Sequence, residues 1–423
     1  MRAFVEWCFA ELLSVKQRFA KVRRMIRDIG LFATGRRVRE AIAFRLARAQ
    51  HLTDRGQFVE AVAMLERRLA ARPREPDLYF ALGAAHHVSG ALNEAVKIWV
   101  RGAQVQAELA QEAGLSLNTR YLGTMFTRMI GHTAYLDTFA KRKLLGLAPE
   151  KYIVFADRTN IGNAAYVECW RDHFDIVDDA GLIRQKASTT RLLEDYPTVL
   201  SIDGQWRFIH DAAVEVESRW QATGKGPLLS LKDKDRARRE LETMGLPRDC
   251  WFVTLHVREG GGASRRDGNL DDYLPAIHRI TQSGGWVVRI GDPSMTKLAD
   301  VPNLIDCAHA PRRDWLDVYA LGAARFMIGT NSGPVFVAGT FGVPAILSNW
   351  APIGIKSLYR NTITLPKRLW SQKHNRLLTA DEENEEPFCA AEWTQLLDQQ
   401  KVRQIPNSAR EIVDAVDEMM RRY

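Results

Sequence analysis

A histidine and an arginine two residues apart, followed by three glycines, make the chemically densest stretch of this 423-residue chain: Thr254-Leu255-His256-Val257-Arg258-Glu259-Gly260-Gly261-Gly262. A guanidinium is a planar fork that grips phosphate through two hydrogen bonds, which a point-like ammonium cannot do. Glycines let backbone N–H groups approach an anion closely. Trp251 to Val257 is apolar and β-rich, so it predicts a buried strand with the polar groups at its end. On a strand, His256 and Arg258 would point to one face. By itself the stretch also fits a strand that ends in a solvated arginine and a flexible loop.

Two further places repeat the pattern. Trp286 to Ile290 reads as a strand closed by Gly291-Asp292-Pro293-Ser294. Phe326 to Gly329 reads as another, closed by Thr330-Asn331-Ser332-Gly333-Pro334 and running into a helix from Val335 to Phe341. The start of that helix would offer N–H groups and a positive dipole end to a phosphate. Asp292 would accept hydrogen bonds from a base or ribose. Ligands of an open parallel sheet bind beyond the carboxyl ends of its strands. Three such ends along one edge predict a nucleotide-diphosphate pocket without a bound metal. Its donor-binding residues would be His256, Arg258, Gly260, Gly261, Asp292, Ser294, Asn331, Ser332 and Gly333. Asp233-Lys234-Asp235 has the DxD form of a metal–diphosphate site, but it sits in a charge run at a helix start and predicts a solvated cap.

Composition bounds the rest. The chain is 46% hydrophobic and 26% charged, as soluble globular proteins are, with a formal net charge of +8. That charge suits an anionic partner such as a nucleotide, a membrane surface or nucleic acid. The basic residues are spread out and accompany no recognisable module, so nucleic acid is not expected. Cys8, Cys169, Cys250, Cys307 and Cys389 are scattered, which predicts neither a zinc site nor a disulfide framework and points to a reducing, cytoplasmic setting. No apolar run approaches the ~20 residues that cross a bilayer. Glu6 and Glu11 interrupt the apolar N-terminal stretch, unlike a signal peptide.

The chain divides into four regions. Residues 1–40 read as a basic amphipathic helix with Phe4, Cys8, Leu12, Val15, Phe19, Val22 and Ile26 on one face. Residues 1–30 would either lie peripherally on an anionic inner-membrane surface or dock their stripe on the next domain. Residues 41–117 hold a repeat: Ala49, Gly56, Ala61 and Leu65 recur 34 residues later as Gly83, Gly90, Ala95 and Trp99, the tetratricopeptide period. Residues 118–223 alternate strand and helix, with Leu122 to Ile130 read as the first strand and Gly131-His132 as the loop after it. His132 is thereby a candidate acceptor-side base. Gly181 to Gln221 carries no assignable motif. Residues 224–423 form a second half with a terminal helix from Ser408 to Arg422. The expected fold class is α/β: two Rossmann-like halves preceded by an all-α, tetratricopeptide-like region.

The two halves together resemble the GT-B glycosyltransferases. His256-Val257-Arg258 is similar to the HxR motif of the α1,6- and protein O-fucosyltransferase group, whose arginine binds the donor β-phosphate and whose histidine lies against the nucleotide. Asp292-Pro293-Ser294 and Ala324 to Gly333 resemble that group's next donor segments, and the latter also resembles the donor loop of heptosyltransferases. The whole chain is similar to a family of bacterial tetratricopeptide glycosyltransferases. The resemblance implies transfer of a sugar from a nucleotide-diphosphate donor, a GDP-sugar among the options, to a glycan or protein acceptor. The donor is then a substrate, and no other cofactor or metal is implied. The repeats would supply a groove for a protein partner, or a scaffold or dimerisation surface. Arg258 would stabilise the departing diphosphate. In the α1,6 group a glutamate base follows the motif histidine by ten residues, where this chain has Arg266, so Glu259, Asp267 and His132 are the candidate bases. The departure also weakens fucose as the sugar. The rival reading is an adaptor whose GT-B-like halves bind nucleotide without catalysis. GT-B chains often end in a helix that crosses back to the first half, and the same is expected here.

Overall fold

The computed structural model describes residues 52, 57–148, 151–232, 234–260, 264–298, 301–390 and 394–423. The amphipathic stretch expected over 1–40, the first repeat's Ala49 and Gly56, Asp233, Gly261 and Gly262 lie outside the described residues.

From residue 57 onward three helices come first: Phe58–Ala71, Pro76–Val88 and Leu92–Glu112. Pro76 stands at the first helical position, where its missing N–H costs nothing. Gly83 lets the second and third helices close: a Cβ there would lie 2.3 Å from Nε1 of Trp99. That indole N–H donates to the Phe80 carbonyl at 3.1 Å. The helices lean on the first α/β half. Trp99 stacks on Phe208 with ring centroids 6.1 Å apart, and buried Asp77 pairs with Arg191 at 2.6 Å. They also touch the far half, where the Asn93 N–H donates to the Glu386 carboxylate at 2.6 Å.

The first half carries a parallel sheet of β1 (Thr119–Leu122), β2 (Lys151–Phe155) and β3 (Asp175–Val177), in that order. The stretch without a motif folds as a helix over Ala180–Thr190, a hairpin of β4 (Val199–Ile202) and β5 (Gln205–Phe208), and a helix over Ile209–Ala222. The strand expected over Leu122 to Ile130 is corrected. β1 ends at Leu122, a 3-10 turn spans Thr124–Phe126, and Ile130–Thr133 is a short helix. A short apolar run does not distinguish strand from helix by periodicity. Here Phe126 buries into the core, and the Thr127 hydroxyl donates to the Phe155 carbonyl at 3.0 Å, so the run folds back over β2.

The second half carries six parallel strands: β6 (Phe252–His256), β7 (Trp286–Arg289), β8 (Leu304–Asp306), β9 (Met327–Gly329), β10 (Ala345–Trp350) and β11 (Thr362–Pro366). Their order is β11-β10-β9-β6-β7-β8. Counted from β6, this is the 3-2-1-4-5-6 order of a doubly wound nucleotide-binding sheet, and its order reverses between β6 and β9. All five residues of β6 are buried, which is why its sequence is a continuous apolar run rather than an alternation. The chain then adds a small antiparallel sheet, unforeseen in the sequence: β12 (Arg368–Ser371), β13 (Arg376–Leu377) and β14 (Val402–Ile405), in the order β13-β12-β14.

The last helix, Ala409–Arg422, starts at a capping box of Ser408 and Glu411. Ile412, Ala415, Val416 and Met419 pack with Ile277 and Ile280 of the Leu274–Gln282 helix. It therefore covers the second half's own sheet and does not cross back, because its one apolar stripe is already used there. No described helix is long and apolar enough to cross a membrane.

The halves share one apolar core, and polar ties run through it. The Tyr166 hydroxyl and Thr340 Oγ1 lie 3.0 Å apart, Asn163 Nδ2 donates to the Asp314 carbonyl at 3.0 Å, and buried His210 donates from Nε2 to the Lys356 carbonyl at 2.5 Å.

Candidate functional site

β6 ends on His256, paired in register with Gly329 of β9, and Leu255 beside it pairs with Arg289 of β7. The three predicted loops therefore leave three adjacent strands at one edge, around the point where the strand order reverses. His256 is buried, and its Nδ1 lies 3.2 Å from the Ile290 carbonyl. That contact assigns the ring hydrogen to Nδ1 and leaves Nε2 as an acceptor. Burial pushes His256 down to about 4 against the pull of the Ile290 carbonyl, and the charges of Arg289 and Arg258 push the same way. The imidazole is uncharged at neutral pH.

Arg258 lies beyond the strand, so the shared face expected from alternation does not apply. Its backbone N–H donates to the Thr330 hydroxyl at 2.9 Å, which stitches the loop after β6 to the loop after β9. Its Nε donates to Asp267 Oδ1 at 3.1 Å, and its side chain stays 38% exposed. Asp267, a candidate base, is thus a brace for the guanidinium. Gly260 permits the brace, since a Cβ there would lie 2.7 Å from Asp267 Oδ2. Buried Lys367 holds the same turn, donating to the carbonyls of Arg265 at 2.9 Å and Asp267 at 2.5 Å. Burial brings that lysine down to about 8.

Glu259 does not face the first half. Its carboxylate accepts from the Thr296 N–H at 2.5 Å and lies 3.9 Å from Arg289 Nη2. Both groups that hold it belong to the second half. Asp292 Oδ1 accepts from the N–H of Ser294 at 2.9 Å and from its hydroxyl at 2.5 Å, and these bonds hold Asp292 below the usual carboxylate range. Ser294 serves the aspartate, and the pair follows the end of β7 with both residues exposed.

Asn331 is a tie within the second half, its Nδ2 donating to the Ala351 carbonyl at 3.0 Å. Ser332 stands at the cap position of the Gly333–Thr340 helix, yet its side chain makes no capping bond. Its Oγ is buried without a hydrogen-bond partner among the described residues. The helix start does not face open solvent. Gly333 lies against Gly131 of the first half, so closely that a Cβ on Gly333 would sit 2.6 Å from the Gly131 N. Side-chain-free backbone on both sides is what lets the halves meet here. His132, next to Gly131, is on a short helix rather than in a loop, and its Nδ1 lies 3.1 Å from the Met125 carbonyl. The fold thus brings His132 to the same junction as Ser332 and Gly333.

Arg289 is a site residue that the motifs do not reveal. It is fully buried at the end of β7, and Nη1 donates to Asp306 Oδ2 at 2.9 Å. Nε and Nη2 have no hydrogen-bond partner among the described residues. An arginine interrupting the apolar run Trp286-Val287-Val288-Arg289-Ile290 was the available signal. Thr330 and Lys367 carried no comparable signal, because their partners are distant in sequence.

Neither a protein-family model nor a curated protein matches the chain. Among solved structures the chain is similar to the E. coli ADP-heptose lipopolysaccharide heptosyltransferase II, at 11% identity over 72% of this chain and 98% of that one, with a TM-score of 0.44. It is also similar to a glycosyl transferase family 9 protein from Veillonella parvula, at 12% identity over 71% and 82% of the two chains, with a TM-score of 0.37. A third similarity is to the iron-containing dodecameric glycosyltransferase TibC of enterotoxigenic E. coli, at 11% identity over 72% and 76%, with a TM-score of 0.35.

Proposed function

We propose that this chain is a metal-independent glycosyltransferase that moves a sugar from a nucleotide-diphosphate donor to a glycan or protein acceptor. One observation carries the reading. A neutral histidine, a braced arginine and a helix start with an unpartnered buried hydroxyl surround the reversal point of a doubly wound sheet, where it meets a second α/β half. Such reversal points are where nucleotides bind in open α/β sheets.

The chemistry follows from the parts. Departure of the diphosphate builds negative charge, and each fixed donor aimed at that charge is worth ~2.7–4 kcal/mol. Arg258 takes that role, with Asp267 fixing the plane of its guanidinium. The Ser332 hydroxyl donates to a phosphate oxygen. His256 accepts at Nε2 from a hydroxyl or N–H of the nucleoside, and Asp292 accepts from the ribose. Arg289 touches no substrate in this scheme and helps to keep His256 uncharged. On the acceptor side His132 is the base, placed across the junction from Ser332. The HxR resemblance makes GDP-sugars the first donors to try.

The test is release of nucleoside diphosphate from a panel of GDP-, ADP- and UDP-linked sugars, with and without glycan acceptors. The expected result is turnover of one donor class, lost in Arg258→Lys. Undiminished turnover in that variant overturns the assignment. Nucleotide binding with no consumption of any donor leaves the adaptor reading instead.

A further inference from the structure

A cavity of about 300 Å³ lies at the back of the junction between the halves, away from the strand ends described above. We propose that it binds a small ring-bearing phosphomonoester. Its walls come from three sources: Trp220 on the helix that ends the first half, Lys225 on the linker, and Tyr359 with Arg360 before β11 in the second half. Gly339 and Gly342 line it where the Gly333–Thr340 helix ends. Tyr359 packs flat onto Gly339, which leaves no room for a side chain there.

Charge selects the ligand. Deep in the cavity, Lys141 is answered by two carboxylates, Asp137 and Glu217, each at 2.6 Å. At the mouth, Lys225 and Arg360 are exposed, and neither has a carboxylate partner among the described residues. Among the described residues the Arg360 guanidinium reaches only the Ser218 hydroxyl, at 3.2 Å. The Lys225 ammonium lies over the Trp220 indole, 5.4 Å from its centroid. Two uncompensated cations over an aromatic wall attract an anionic head attached to a flat or apolar body. The volume is at the lower end of ligand pockets, ~300–1,000 Å³. It suits a sugar phosphate or a nucleoside monophosphate, and it is small for a complete nucleotide-diphosphate sugar.

The position gives such a ligand leverage. The Gly333–Thr340 helix has 8 residues, and at ~1.5 Å per residue it spans ~12 Å. One end meets Gly131 at the front of the junction, and the other lines this cavity. A ligand held by both halves and the linker would therefore bear on the helix that reaches the strand-end site.

The test is calorimetric titration with glucose 1-phosphate, AMP and inorganic phosphate. Three proteins are compared: wild type, the double variant Lys225→Glu/Arg360→Glu, and Arg258→Ala. At least one ring ester is expected to bind wild type and Arg258→Ala with equal affinity. Its binding should be at least tenfold weaker in the double variant, and inorganic phosphate should bind more weakly than the ester. The substituted cations are exposed, so folding is expected to survive, and circular dichroism checks it. No heat from either ester at millimolar concentration overturns the proposal. So does binding that survives the double charge reversal but is lost in Arg258→Ala, since that ligand would sit at the strand ends.

Discussion

On the second half's side of the junction, polar atoms are left over. His256 Nε2 makes no hydrogen bond among the described residues, and Ser332 Oγ is buried without one. On the first half's side Thr127 and Asn163 have theirs spent, although Trp170 Nε1 and Thr198 Oγ1 elsewhere in that half are also buried without a partner among the described residues. Thr127 donates to the Phe155 carbonyl, and Asn163 accepts from the Tyr166 N–H while donating to the Asp314 carbonyl. A buried polar atom without a partner costs ~1–3 kcal/mol. The proposed function puts the donor nucleotide against the second half and leaves the first half to shape the cleft and present His132.

The largest effect that would sharpen this contrast is expected at Arg289. Arg289→Ala leaves the Asp306 and Glu259 carboxylates, both largely shielded from water, without the cation between them, and breaking a buried pair costs ~3–5 kcal/mol. Denaturant unfolding should show that loss. A stability change below ~1 kcal/mol would mean the guanidinium is not a structural charge. Next comes Arg258→Lys, which should lower transfer by about 10²–10³ with little change in unfolding midpoint, because Asp267 retains a cation. A large loss of stability with unchanged turnover would reverse the assignment and make Arg258 a strut.

pH separates the walls as well. The folded protein keeps His256 at about 4, against the ordinary 6.5. Between these values the unfolded chain takes up a proton that the folded one refuses, so acid favours unfolding. The contribution is full above 6.5, is lost as pH falls toward 4, and is on the order of 3 kcal/mol. Asp137, on the first half, has the opposite sign. Burial raises it from 3.8 to about 6, so the folded form gains relative stability as pH falls from 6 toward 3.8. The comparison is therefore made between wild type and His256→Gln, whose stability should fall less than that of wild type as pH drops from 6.5 to 4. Parallel profiles would show that the histidine titrates normally.

The smallest effects test the contrast directly. Ser332→Ala should leave the ligand-free stability unchanged or raise it by up to ~1 kcal/mol, while donor binding weakens several-fold. Thr127→Val on the opposite wall should cost ~1 kcal/mol of stability and leave donor affinity alone. Thermal unfolding with and without nucleoside diphosphate reads both. If the two variants behave alike, the walls are not different in kind.

Much of the second half is legible in residue order alone. Trp251 to Val257, Trp286 to Ile290 and Phe326 to Gly329 each stop abruptly at charge, glycine or hydroxyl residues, and each forms a strand of the second sheet. The helix over Asp314–Ala323 and the capped terminal helix are equally plain, because periodicity and caps are local signals. Leu122 to Ile130 is not, since an apolar run there fits a strand and a folded-back turn alike until Phe126 finds its place in the core. What the chain alone determined was where each strand stops and which side chains stand at its end. Tertiary structure decided that β7, β6 and β9 are neighbours, that Asp267 braces Arg258, that Glu259 turns to Arg289, and that Gly131 meets Gly333. The reason is range: strand endings are written in adjacent residues, whereas partners depend on how distant segments pack.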